Sequence, residues 1–414
     1  MDFAIYILLC LVYLVLGLAS IFNFTFKNVA LKWFVILTVL LPITKFTTEF
    51  HTNYQISVYY LFFIGPCILI FKKMMRDKIN LNFSLSILLL SSMLMFYLIH
   101  YFVFVEESRR VINILKDAKL FVLIILGFVF IEVYGNRLKF ILNSRFCDRL
   151  LFVNLIVCSI FFFMMYRYDL HLKLTTDPYY KYEELRLETL GCYFGIFYFL
   201  HLLFNRYKIK MYQFFICFLP LLYTGNRTLI FSVFAIVAIF FIMRLTLRGV
   251  MIFVSSSIVS IGGLLYLILS ADENSPLARF QKLFSLEYIN YALMNRFSPF
   301  INDLVNYSKL DFIFGKGLGY TFFIPWFHYR DNIDDYNIYI DNLYLTLYAK
   351  FGVFFLVFFL MIFLYFKSYL NSIQLKLYLT FILILSITNA FIYQYNFLWI
   401  FIVMAFPYYS YYKK

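Results

Sequence analysis

Residues 271–340 read ADENSPLARFQKLFSLEYINYALMNRFSPFINDLVNYSKLDFIFGKGLGYTFFIPWFHYRDNIDDYNIYI, and they decide the fold by contrast with what surrounds them. On either side, apolar runs of roughly 15–25 residues follow one another with short basic connections. Only in these 70 residues does the chain leave an apolar medium for long enough to build a site. Arg279, Lys282, Arg296, Lys316, His328 and Arg330 stand in this stretch. An isolated Arg227 precedes it, and the run Asp341-Asn342-Leu343-Tyr344-Leu345 follows it.

Hydrophobic residues make up 64% of the 414-residue chain and charged residues 14%. A soluble protein of this length cannot hide so much apolar surface, whereas a bilayer can. The aromatic share of 23% reads mainly as compositional bias, with some tyrosines anchoring at headgroup level. Met1 to Phe22 has Asp2 in place of a basic leader region and no small-x-small cleavage site, so it is expected to be a first transmembrane helix. The six cysteines avoid the polar stretch and form no C-x-x-C pair. They read as small apolar helix residues, and neither a disulfide framework nor a zinc site is indicated.

The expected fold is all-α: a polytopic integral membrane protein of about 13 transmembrane helices (12–14) with one large extracytoplasmic loop. The apolar runs lie near 3–22, 30–44, 56–71, 84–105, 118–134, 150–168, 189–204, 210–223, 228–243, 249–270, 343–366, 375–391 and 395–410. Residues 1–270 then hold helices 1–10, residues 271–340 the loop with short amphipathic helices, and residues 341–414 helices 11–13. The runs 210–223 and 228–243 fall short of ~20 residues, which predicts a re-entrant or differently tilted segment.

Charge orients this arrangement. One alternating set of connections carries 19 basic residues against three acids, and the other is slightly acidic. Basic loops stay in the cytoplasm. The N-terminus is therefore expected outside, the C-terminus inside, and the 271–340 loop outside the cytoplasmic membrane. The net charge of +14 is then directed at anionic inner-leaflet lipid, with no nucleic acid required. Few charges appear within the expected spans, which argues against a pump or carrier.

Arg227 lies in Leu222-Tyr-Thr-Gly-Asn-Arg-Thr-Leu-Ile230 at the start of a span. Free N–H groups and a guanidinium there suit a phosphate, although an Arg snorkelling to headgroups looks the same in sequence. In Leu286–Leu304, Ile289, Leu293, Phe297, Phe300 and Leu304 recur at helical spacing, with Arg296 beside Phe297. Such a helix lies along the membrane surface and presents its cation to a cleft or to headgroups. Gly315-Lys-Gly-Leu-Gly319 is neither a Walker loop nor a dinucleotide fingerprint. It reads as a flexible turn whose Lys316 and backbone amides at Gly317 and Gly319 are available to an anion. Asp341 is expected either to cap the next helix or to take a proton from a sugar hydroxyl. His328 is a second candidate base. No outer loop offers a D-x-D or E-x-D pair, so no metal and no other cofactor is expected.

Three segments together resemble the O-antigen polymerase and ligase superfamily of bacterial envelope proteins, and within it the Wzy-like polysaccharide polymerases. Thr224-Gly-Asn-Arg-Thr-Leu is similar to the small-polar-Arg segment that opens a span before that family's large loop. Phe314-Gly-Lys-Gly-Leu-Gly-Tyr320 is similar to its G-x-G-x-G turn after an Arg-containing helix, here the one with Arg296. Asp341-Asn-Leu-Tyr-Leu-Thr-Leu-Tyr-Ala-Lys-Phe-Gly352 is similar to its H-N-x-x-L run. The family's ligases carry His where this chain has Asp341, which favours a polymerase.

The resemblance implies a metal-independent glycosyltransferase at the outer face of the membrane. It would move a glycan from undecaprenyl diphosphate to a sugar hydroxyl of the next lipid-linked repeat unit. Arg227, Arg296 and Asp341 would be catalytic; Arg279, Lys316, Gly317, Gly319, His328, Asn342 and Tyr344 would bind substrate. A flippase and a chain-length regulator are the implied partners. The competing expectations are a ligase with another acceptor and a flippase or exporter of the same lipid-linked sugar.

Overall fold

The computed structural model describes residues 15, 27–40, 81–104, 111–168, 190–204, 209–224 and 227–242, scattered positions within 251–270, and residues 286–324, 336–367, 372–388 and 390–393. Among them the chain is mostly helical. The expected spans 56–71 and 395–410, nearly all of 3–22 and about half of 249–270 lie outside the described residues.

In chain order the helices are α1 (Lys27–Leu40), α2 (Leu81–Phe104), α3 (Val111–Ile141), α4 (Ser144–Tyr168), α5 (Leu190–Phe204), α6 (Met211–Tyr223) and α7 (Arg227–Ile242). There follow α8 (Leu286–Leu304), α9 (Lys309–Phe314), α10 (Leu343–Phe351), α11 (Phe355–Lys367) and α12 (Ser372–Thr388). Two short strands, β1 (Phe322–Phe323) and β2 (Tyr336–Asn337), pair antiparallel with Phe322 opposite Asn337.

The bundle is organised around α5, where every residue from Gly191 through Leu203 is buried. A helix that is apolar all round belongs in the centre, and α5 packs on α1, α4, α6 and α7. A second group joins α2, α3, α10, α11 and α12. Phe128 and Tyr365 stack across it with ring centroids 3.8 Å apart. Cys147, Cys158, Cys192 and Cys217 are buried free thiols in these helices.

The outward faces are apolar too. On α2, Leu88, Met95, Ile99, Phe102 and Val103 are exposed, and on α7, Phe231 and Phe234. Among the described residues, Leu85–Val103 and Leu343–Tyr365 are long and apolar enough to cross a membrane. Gly191–Leu203, Met211–Tyr223 and Leu229–Phe240 are shorter apolar helices.

Three expectations are corrected. First, α3 starts at Val111, seven residues before the expected 118, so Lys116 and Asp117 are helical and not in a loop. Their polarity is compatible with helix because Asp117 has a partner from a distant segment. Second, the span expected over 343–366 is matched by the apolar stretch Leu343–Tyr365 but is not one unbroken helix: α10 ends at Phe351, and a 3-10 turn at Gly352–Phe354 leads into α11. Third, Asn342 caps α10, its side chain accepting the Leu345 N–H at 3.0 Å, while Asp341 is exposed one residue earlier. The side-chain oxygen of an N-cap must reach the N–H two or three residues on, and here Asn342 has that position.

The polar stretch forms a cap on α10. Helix α8 packs against α10 and β1, and α9 packs against α10 and the 3-10 turn after it. Phe300, Phe322, Ile324, Ile340 and Ala349 make a small core of their own. The helical periodicity read over Leu286–Leu304 is seen with those bounds.

Candidate functional site

The cap is attached to the bundle at one buried point. Lys350 Nζ lies 2.7 and 2.6 Å from the two Asp117 oxygens, and both side chains have 0% exposure. Gly319 N–H donates to Asp117 Oδ2 at 2.7 Å. The Tyr393 ring stands 5.5 Å from Lys350 Nζ. A buried charge persists only when it is paired and its remaining hydrogen-bonding capacity is met. Asp117 and Lys350 meet that condition by joining α3, α10 and the glycine turn.

The turn docks onto the end of α10 through its backbone. Lys316 N–H donates to Ala349 O at 2.8 Å and Gly317 N–H to Lys350 O at 2.9 Å. These are carbonyls that a terminating helix leaves unpaired. Tyr97 of α2 satisfies a third, donating to Phe351 O at 2.6 Å. Gly315, Gly317 and Gly319 have φ of 74°, 82° and 78°, in the left-handed region that glycine alone enters freely. Gly352, at φ 53°, meets Gly315 in a backbone-to-backbone contact. A Cβ on Gly315 would overlap the Lys350 backbone, and one on Gly352 would overlap the Ile313 carbonyl.

The segment expected to be a flexible turn is therefore a fixed one. The amides expected to be available to an anion at Gly317 and Gly319 are committed to the protein itself. The Lys316 side chain is engaged as well: Nζ is 2.8 Å from Asp311 Oδ2 and 3.0 Å from Asn306 O, over the Tyr307 ring. Burial pushes the Asp311 carboxyl up, but the Lys316 and Ser308 hydrogen bonds outweigh it and the net shift is down.

The other expected site residues fall as follows. Arg227 opens α7, at the end of the helix where N–H groups lack intrahelical partners. Arg296 is half-buried on α8. Asn342 is buried as a cap, and Tyr344 donates to Leu383 O at 2.9 Å, joining α10 to α12. Asp341 is exposed at the start of α10. Arg279 and His328 lie outside the described residues. Among the described residues no three His, Cys, Asp or Glu side chains gather as metal ligands.

Sequence reasoning missed three members of this region. Asp117 and Lys350 are 233 positions apart, and only their charge inside otherwise apolar surroundings marks them. Asp303, on α8, accepts the Tyr320 hydroxyl at 2.7 Å. Burial pushes its carboxyl up, against the opposing effects of Tyr320 and Lys316.

Helix α8 presents two distinct stripes. Leu286, Leu293, Met294 and Ile301 are exposed along one, while Arg296, Pro299, Phe300 and Asp303 line another that is half-buried or buried. The first suits an apolar medium and the second faces the cap.

No curated protein and no solved structure matches the chain. Residues 15–412 match DUF6369, a family of unknown function, and the chain belongs to that family.

Proposed function

We propose that this protein is a polymerase of lipid-linked oligosaccharide repeat units, embedded through about 13 spans with the cap at the outer face of the cytoplasmic membrane. The observation that carries the reading is α8, whose exposed apolar stripe adjoins a stripe holding the half-buried Arg296. A helix of that form lies at headgroup depth, where the diphosphate of a lipid-linked sugar resides. Arg227 at the α7 N-terminus and Arg296 receive the diphosphate through charge-assisted hydrogen bonds. Asp341 contacts the acceptor. The sugar hydroxyl attacks the anomeric carbon, and lipid diphosphate leaves with the bonding electrons. Diphosphate is already a good leaving group, so positioning and charge stabilisation are the main demands, and side chains suffice for them.

The alternative of a flippase or exporter gains one observation, the Lys350–Asp117 pair inside the bundle. Intramembrane charges often mark transport paths. This pair is already satisfied by its neighbours and fastens two structural elements, so the polymerase reading has more behind it.

Deletion in the native cell separates the readings. A missing polymerase leaves single repeat units at the surface. A missing flippase leaves none there, and a missing ligase leaves long chains on the carrier lipid. Either of the last two results overturns the proposal.

A further inference from the structure

We propose that Asp303, held by Tyr320, is the acceptor-side carboxylate of the reaction: it binds the attacking sugar hydroxyl and takes its proton. This rests on the polymerase reading: Asp303 takes the proton, and Asp341 contacts the acceptor elsewhere.

Arg296 and Asp303 are seven residues apart on α8, which places them within about 20° around the axis and about 10 Å along it. Both are half-buried, and Pro299 and Phe300 between them are buried. The stripe they share is the one α8 turns towards the cap, because Phe300 packs with Phe322, Ile324, Ile340 and Ala349. A cation and a carboxylate thus stand in line beside the apolar stripe of Leu286, Leu293, Met294 and Ile301. A glycosyl transfer needs this order of charges: leaving diphosphate at one end, attacking hydroxyl at the other, anomeric carbon between them. An axial offset of about 10 Å leaves room for a diphosphate at Arg296, a hydroxyl at Asp303 and the sugar ring between them.

The carboxylate is also oriented. The Tyr320 hydroxyl donates to Oδ2 at 2.7 Å, which leaves Oδ1 as the second acceptor. Tyr320 is itself fixed, directly following Gly319, whose N–H is bound to buried Asp117. The buried clamp thereby sets the position of the base through one covalent step. Burial pushes the Asp303 carboxyl up from its ordinary value, which makes its ionised form a stronger proton acceptor. The other ionisable groups around this corner are Lys316 on the turn, Tyr307 after α8, Asp311 on α9 and Tyr348 on α10.

The step balances as follows. The acceptor O–H bond breaks, and its proton goes to Asp303 Oδ1. The oxygen lone pair forms the new bond to the anomeric carbon. The anomeric carbon–oxygen bond to the lipid diphosphate breaks, and its electron pair leaves with the diphosphate, whose charge Arg296 meets.

The test uses the full chain in lipid vesicles, with a repeat unit on a polyprenyl diphosphate as both donor and acceptor. Asp303→Asn is isosteric and keeps an acceptor for Tyr320. It is expected to lower the transfer rate at least about a hundredfold while vesicle-bound substrate falls less than about threefold. Tyr320→Phe removes a hydrogen bond that favours the ionised carboxylate, so the acidic limb of its rate–pH profile moves to higher pH. A purely structural role would lower the rate at every pH and leave that limb in place. If Asp303→Asn retains a third of the wild-type rate, or the Tyr320→Phe limb does not move, the inference is overturned and the polymerase reading stands. If the wild-type protein makes no polymer, both are overturned.

Discussion

Replacing Lys350 with Met removes the counter-charge of a carboxylate that has no access to water. Lys350 supplies two contacts to Asp117, at 2.7 and 2.6 Å. Without them the carboxylate retains the Gly319 amide. Breaking one side of a buried ion pair costs about 3–5 kcal/mol, because the remaining charge keeps its desolvation penalty. At about 1–2 °C per kcal/mol for a chain of this size, melting falls by about 3–10 °C. The double replacement Asp117→Asn with Lys350→Met removes both charges and keeps an acceptor for Gly319. It is expected to melt above the Lys350→Met single variant, a coupling that only a direct pair produces. The buried thiols of Cys147, Cys158, Cys192 and Cys217 provide the assay. They react with a thiol-specific dye as detergent-solubilised protein unfolds, and all variants are compared at one fixed heating rate. A Lys350→Met protein that melts with the wild type refutes the clamp, as does a double variant no better than the single.

Gly315→Ala and Gly352→Ala each force a Cβ into opposing backbone at a left-handed φ, so both are expected to cost more than about 1–3 kcal/mol in the same dye assay. Asn342→Ala is expected to lose about 1 kcal/mol of helix capping, and Asp341→Ala to lose none. A reporter inserted after Tyr307 that is active only outside the cytoplasm is expected to be active; cytoplasmic activity would place the cap on the wrong side.

Hydropathy locates the helices whose bodies are apolar. The expected 189–204, 210–223 and 228–243 differ by a residue or so from α5, α6 and α7, and the periodicity of Leu286–Leu304 locates α8. It fails where polarity is local and the compensation distant. Lys116 and Asp117 look like a loop because the group that neutralises Asp117 comes from α10. The interruption at Gly352 is hidden for the opposite reason: Leu343–Tyr365 is apolar on either side of it. What ends α10 is the docking of Gly315 against Gly352, a contact between two segments that the chain brings together only on folding. Gly315, Gly317 and Gly319 were conspicuous, but spacing alone does not distinguish an anion cradle from a turn that spends its amides on a helix end. Asp303 gave no signal, since a carboxylate on an amphipathic helix is usually solvated, and only the Tyr320 contact sets it apart.

The central claim is that the cap organises transfer between lipid diphosphate-linked glycans. The purified protein in vesicles, given one such repeat unit and a chelator, tests it most directly. The account predicts a ladder of products that lengthens by whole repeat units, with Arg296→Ala slowing its growth by orders of magnitude and Arg296→Lys recovering little, because an ammonium lacks the planar fork. A wild-type protein that leaves the repeat unit unextended, or an Arg296→Ala protein that extends it normally at normal abundance, would contradict the account.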